Sequence, residues 1–160
     1  SRTSRVSASL ADADSGSKRS RKHEDAYNAA MQSYSQAPFE YRHEVGLYYH
    51  AILPNLLVGT MPQSADDVDR LVDDEGVTCV FSTQQPKDLA YWGVEAAPIA
   101  RQCRERGVRH ERRPFPDFNA DGLRLGLPSA AAVLDALIRR GHTVYLHCTA
   151  GMGRSPGVAI

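Results

Sequence analysis

The chain has 160 residues, 42% of them hydrophobic and 24% charged, and its 19 Lys and Arg balance 19 Asp and Glu. That is enough apolar material for one domain with a proper core, and zero net charge leaves no nucleic-acid footprint in the total. Three cysteines with no Cys-x-x-Cys pair argue against a disulfide framework or a zinc site, and no apolar run approaches the roughly 18 residues of a membrane span.

The charge is not spread evenly. Residues 1–23 hold six Lys or Arg against two Asp, and residues 1–36 are rich in Ser, Ala and Arg with almost no apolar periodicity. This segment reads as a disordered tail or as the remnant of an organelle transit peptide, although Asp12 and Asp14 are unwelcome in the latter. The basic cluster from Lys18 to Lys22 also fits a nuclear address or a polyanion contact. A single domain is expected over 37–160. Its first stretch, Tyr41 to Tyr49, mixes aromatics with charges, either to bind a surface or to cap a core. Two short strands, Ala51–Leu53 and Leu56–Gly59, should flank the turn Pro54-Asn55. Ser64 then caps a helix with Asp66 and Asp67 in its first turn and Val68, Leu71 and Val72 on one face, closed by Gly76.

Val77 to Phe81 is apolar almost throughout and reads as an interior strand, with Cys79 in the core. Gln84 to Gly93 is expected as a loop that either tucks Tyr91 and Trp92 beneath itself or offers them to a ring-shaped ligand. Ala96 to Arg106 reads as an amphipathic helix, Val108 to Arg112 as a polar strand, and Pro114 to Gly122 as a loop. Pro128 should open a helix through Leu134, Leu137 and Ile138 that ends at Gly141. The run Val144-Tyr145-Leu146 is a buried strand. Strands alternating with helices give an α/β domain, a parallel-rich central sheet flanked by helices on both faces.

The last strand runs into His147-Cys148-Thr149-Ala150-Gly151-Met152-Gly153-Arg154-Ser155-Pro156. A cysteine at a strand end, a glycine-containing loop and an arginine opening a helix make an anion bowl, because loop N–H groups and the helix N-terminus converge on one spot. Such surroundings favour the ionised thiol, which makes Cys148 a nucleophile. Arg154 can return across the loop and hold two oxygens of a tetrahedral oxyanion with its planar fork. Thr149, Ala150, Gly151, Met152 and Gly153 supply the phosphate-binding backbone, and Gly151 and Gly153 let an anion approach it. His147 flanks the cysteine, and the Ser155 hydroxyl can ease departure of the sulfur. The pattern resembles the Cys-x5-Arg loop of the cysteine-dependent phosphatases.

Expelling an alkoxide needs a proton at the leaving oxygen, so a carboxylic acid must reach the bowl. The loop 114–122 offers Asp117 and Asp121, and Asp117, on the segment leaving the strand edge, is the first choice.

From Tyr41 to Ile160 the sequence resembles the dual-specificity phosphatases, and within them the plant starch-excess type of glucan phosphatase. The resemblance is carried by Tyr41-Arg42-His43-Glu44 with Gly46, Leu57-Val58-Gly59, Leu89-Ala90-Tyr91-Trp92-Gly93-Val94, Asp117-Phe118 and the loop from His147 to Arg154. It implies Cys148 as nucleophile, Arg154 as phosphate binder and Asp117 as general acid, with Trp92 and Phe118 stacking on glucose rings and Tyr41 in the substrate-binding segment. It also implies a phosphorylated α-glucan as substrate and a plastid location. Ser155 stands where many plant relatives have Ala. The starch-excess type carries a carbohydrate-binding module and a C-terminal segment. This chain stops six residues beyond Arg154 and so reads as a domain truncated after the phosphate-binding loop.

The expected reaction is two-step hydrolysis through a cysteinyl-phosphate with no metal or cofactor, since backbone donors and Arg154 supply the charge stabilisation. The competing readings are a dual-specificity protein or phosphoinositide phosphatase with the same machinery, and a non-catalytic glucan-binding scaffold.

Overall fold

The computed structural model describes residues 21–33, 40–116, 119–151 and 158–159. The chain forms two compact units, residues 1–43 and 44–160. In the first, residues 21–33 form helix α1, with Glu24, Tyr27 and Met31 buried at spacings of three and four. The expectation of a disordered tail does not hold over this helix. Its apolar face rests on only two large side chains in a Ser- and Ala-rich background, too faint a stripe to read from periodicity. Asn28 grips the backbone of Tyr41: the Tyr41 N–H donates to Oδ1 at 2.6 Å and Nδ2 donates to the Tyr41 carbonyl at 3.1 Å. The Tyr41 ring meets Tyr27 edge-on at 5.7 Å, and its hydroxyl bonds His43 Nδ1 at 2.9 Å.

The second unit is built on a five-stranded sheet: β1 Tyr49–Leu53, β2 Leu56–Gly59, β3 Cys79–Ser82, β4 Arg109–Arg112 and β5 Val144–His147, in the order β1-β2-β5-β3-β4. Only β1 runs antiparallel, as a hairpin with β2; the other pairings are parallel. Burial follows the order. Every residue of β2, β3 and β5 is buried, whereas the charged β4 lies at an edge.

Strand alternation sends successive side chains to two cores. Val144 and Leu146 join Val58, Cys79 and Phe81 beneath α5 (Ala120–Arg139), against Leu134 and Leu137. Tyr145 joins Leu57 and Val80 on the other face, against Val68 and Leu71 of α2 (Ala65–Glu75) and Ile99 and Cys103 of α4 (Ala96–Glu105). Arg106 locks α2 to α4, donating to Asp69 at 2.7 Å and Asp73 at 2.6 Å, while Gln102 donates to Asp69 at 2.7 Å. The hydrogen bonds from Gln102 and then Arg106 hold the Asp69 carboxyl below the usual aspartate range. Gly76 ends α2 in the left-handed region at φ 67°, as its sequence position predicts.

Two expectations are corrected. The segment read as a loop from Gln84 to Gly93 contains a helix, α3 (Pro86–Tyr91). Pro86 is pre-set for a first helical position, and the Asp88 carboxylate accepts the Gln85 N–H at 2.7 Å. A helix of six residues is too short to show periodicity. Helix α5 begins at Ala120 rather than Pro128, because Asn119 caps it: its Oδ1 accepts the Gly122 N–H at 2.8 Å. Pro128 lies inside this helix on its exposed side. Gly126 leaves room for the Phe115 ring; a Cβ there would collide with the ring carbon Cε1.

Candidate active site

Strand β5 is hydrogen-bonded on both sides and delivers His147, Cys148 and Thr149 at its carboxyl end, all buried. Open α/β sheets place ligands at that edge. The chain then turns sharply at Gly151, which has φ +71°, and the Gly151 N–H donates to Cys148 Sγ at 3.1 Å. His147 stacks on Tyr145 with centroids 5.9 Å apart, and its Nδ1 bonds the Cys148 carbonyl at 3.0 Å, which puts the ring proton on Nδ1.

Neighbouring strand ends hold this turn. Thr83 donates twice to the His147 carbonyl, through its N–H at 2.9 Å and its hydroxyl at 2.8 Å. On the other side the Met61 N–H donates to the Thr149 carbonyl at 3.0 Å, and the Tyr145 hydroxyl donates to the Thr60 carbonyl. The buried Gln84 amide donates to the Thr149 hydroxyl at 3.0 Å. Gly59 and Gly151 approach with no space for a side chain between them. Thr83, Gln84, Tyr145 and Gly59 escape the sequence reading as parts of the site. The available signal was the polar run Ser82-Thr83-Gln84-Gln85 directly after an apolar strand, all but Gln85 buried.

Of the residues singled out in the sequence, His147, Cys148, Thr149, Ala150 and Gly151 come together here. Met152, Gly153, Arg154 and Ser155 lie outside the described residues, as do Asp117 and Phe118. The residues on either side of Asp117 and Phe118 are nonetheless tied down. Before them, the Arg113 N–H donates to Ser82 and the Phe115 N–H to Thr83, each at 2.9 Å, so the chain leaves β4 along the same sheet edge. After them stands the Asn119 cap. The second candidate acid, Asp121, is 83% exposed in the first turn of α5 and pairs with Arg124 at 3.1 Å.

Trp92 follows α3, on the segment that leaves β3 at that edge. It is half-buried, with its ring edge-on to Tyr91 at 5.2 Å. Tyr41 is 4% exposed, with its ring edge-on to Tyr27.

The other two cysteines are core residues. Burial pushes the Cys79 and Cys103 thiols up to about 11. A cavity of about 30 Å³ lies on the α4 side of the sheet, lined by Ser82, Gln84, Ile99, His110, Arg112 and His147. Burial, and then the Arg112 charge, lower the His110 pKa. Among the described residues no three His, Cys, Asp or Glu are grouped to hold a metal, and no helix is long and apolar enough to cross a membrane.

No protein-family model matches the chain. It is similar to the phosphoglucan phosphatase DSP4, amyloplastic, of Castanea sativa, at 38% identity over 138 residues, covering 85% of this chain and 36% of the relative. Laforin of Mus musculus is 34% identical over 119 residues, 68% of this chain and 36% of the relative. The phosphoglucan phosphatase LSF1, chloroplastic, of Arabidopsis thaliana is 29% identical over 126 residues, 79% of this chain and 21% of the relative. The chain thus spans about a third of the length of the first two. Among solved structures, PTPMT1 superposes with a TM-score of 0.53 at 26% identity, over 68% of this chain and 66% of that one. Kinase-associated phosphatase superposes with a TM-score of 0.58 at 13% identity, over 69% and 68%, a likeness of fold.

Proposed function

We propose that this chain, a homologue of the phosphoglucan phosphatases and laforin with the fold of the cysteine-based phosphatases, hydrolyses phosphate monoesters on α-glucan. The observation that carries the proposal is Cys148, buried at the end of the central strand with the Gly151 N–H turned onto its sulfur.

In the first step the Cys148 thiolate attacks phosphorus. The S–P bond forms, the bond from phosphorus to the sugar oxygen breaks, and Asp117 gives its proton to that oxygen. The loop N–H groups and Arg154 take up the charge on the equatorial oxygens. In the second step water attacks the cysteinyl-phosphate and passes a proton to the Asp117 carboxylate. The S–P bond breaks and inorganic phosphate leaves. Tight hydrogen bonding of residues 147–149 to Thr83, Gln84 and Met61 suits this chemistry, because donors fixed beforehand need no reorganisation as charge develops.

The glucan preference rests on the relatives' names and on Trp92 and Phe118, flat rings suited to the apolar C–H face of a pyranose. A plastid is the proposed location, from the amyloplastic and chloroplastic relatives.

The test is phosphate release from solubilised phosphorylated amylopectin, with an aryl phosphate as reference, by the wild type, Cys148→Ser and Trp92→Ala. Cys148→Ser is expected to abolish both activities, and Trp92→Ala to lose glucan turnover while keeping the aryl ester. A wild type that cleaves only the aryl ester would remove the glucan substrate and leave the phosphatase.

A further inference from the structure

Gln84 stands two residues beyond β3 and is 1% exposed. A buried carboxamide must place its N–H donors, and Gln84 places them on two different segments: Thr149 Oγ1 at 3.0 Å and Met61 Sδ at 3.2 Å. These segments are themselves joined, since the Met61 N–H donates to the Thr149 carbonyl at 3.0 Å. Thr149, the residue after the nucleophile, is therefore held by its side chain and its carbonyl together. Its hydroxyl is buried with it, 1% exposed, and is committed to the protein.

An apolar residue of the same length would fill this space without the cost of desolvating an amide. A buried polar group with its donors satisfied instead selects one arrangement of the chain around it. Here that arrangement is the turn 148–151, whose peptide planes decide where the loop N–H groups point. Packing alone does not enforce it, because the cavity of about 30 Å³ opens beside Gln84 and His147 and leaves slack on that side.

We propose that Gln84 is a positioning residue, which acts through the Thr149 hydroxyl to hold the loop N–H groups in the orientation a transferring phosphoryl group needs. The inference rests on the phosphatase reading of the loop. Donors misaimed by a fraction of an ångström still bind a ground-state phosphate but stabilise the transition state less, so kcat should fall while KM stays.

The experiment measures kcat and KM on an aryl phosphate, inhibition by vanadate, which imitates the five-coordinate transition state, and Tm. It compares the full chain with Gln84→Met, Thr149→Val, their double variant and Thr149→Ser. Gln84→Met keeps the length and loses the donors; Thr149→Val keeps the shape and loses the hydroxyl. Each should lower kcat about tenfold, the worth of roughly one hydrogen bond, with KM within about twofold and vanadate binding weakened by the same factor as kcat. The double variant should be no worse than either single, because both remove one shared bond, and Thr149→Ser, which keeps the hydroxyl, should recover most of the kcat that Thr149→Val loses.

Three results overturn the proposal: Gln84→Met at wild-type kcat, losses that multiply in the double variant, or Thr149→Ser as damaged as Thr149→Val. Should Gln84→Met fail to fold, the contrast between Thr149→Val and Thr149→Ser decides alone. A wild type inert on the aryl ester is a failure of the phosphatase reading itself, distinct from an active wild type matched by its variants.

Discussion

Gly151 rests directly on the main chain of Gly59: a Cβ on Gly151 would stand 2.7 Å from the Gly59 carbonyl carbon and 2.8 Å from its oxygen. Backbone cannot swing aside as a side chain can, and Gly151 also has φ +71°. Gly151→Ala therefore carries about 1–2 kcal/mol of left-handed strain plus the collision. The expected outcome is a loss of aryl phosphate turnover of about a hundredfold, the scale of a misplaced reacting group. Steady-state kinetics beside the melting curve checks it. Gly59→Ala drives its Cβ into the Tyr48 carbonyl, Tyr49 Cβ and the Tyr145 hydroxyl, and should lower both Tm and activity.

Phe115 anchors the segment that carries Asp117, and its ring occupies the space that Gly126 leaves vacant. Gly126→Ala must push the ring and with it the chain leading to Asp117. A proton matters most to a poor leaving group, so hydrolysis of an alkyl phosphate should fall several-fold more than that of an aryl phosphate. Equal losses on the two esters would count against Asp117 as the proton donor.

Stability should decline toward alkaline pH. The buried thiols of Cys79 and Cys103 stand at about 11 against a reference value of 9.0. A pKa raised by folding contributes stability that is complete below the unfolded value and is lost as pH rises toward the folded one. Urea midpoints should therefore fall between about pH 9 and 11. The Cys79→Ala, Cys103→Ala double variant should be weaker at neutral pH but flatter across that window. On the acid side His110, whose pKa is lowered, acts with the opposite sign, and its contribution fades as pH falls through the histidine range.

How far the sequence reveals these features depends on how local their causes are. Helix α2 is legible because its cap, its acidic first turn, its apolar spacing and Gly76 all lie within a dozen residues. The β5 strand and the Cys148 turn are legible for the same reason. Helix α5 is misread at its start because the loop reading of 114–122 overlooks the Asn119 cap, and Phe115, which gives Gly126 its purpose, packs from outside the helix. Thr83 and Gln84 show in the sequence only as a polar run after an apolar strand, since the groups they bond are 64 and 65 positions away.

The sheet order has a consequence for how the molecule is assembled. Strands β1 and β2 pair as a local hairpin, and β3 and β4 pair across the crossover that holds α3 and α4, so two halves of the sheet can form as the chain is made. Neither half touches the other in the sheet until β5, the last strand, slides between them, bringing Tyr145 to Thr60 across 85 positions of chain. The strand that bears Cys148 is thus the keystone of the second unit. A molecule with β5 unplaced leaves two raw sheet edges open to aggregation, and one with β5 seated has Cys148 in position. Completing the sheet and assembling the Cys148 turn are the same event, so damage that loosens this strand should remove aryl phosphate turnover and solubility together.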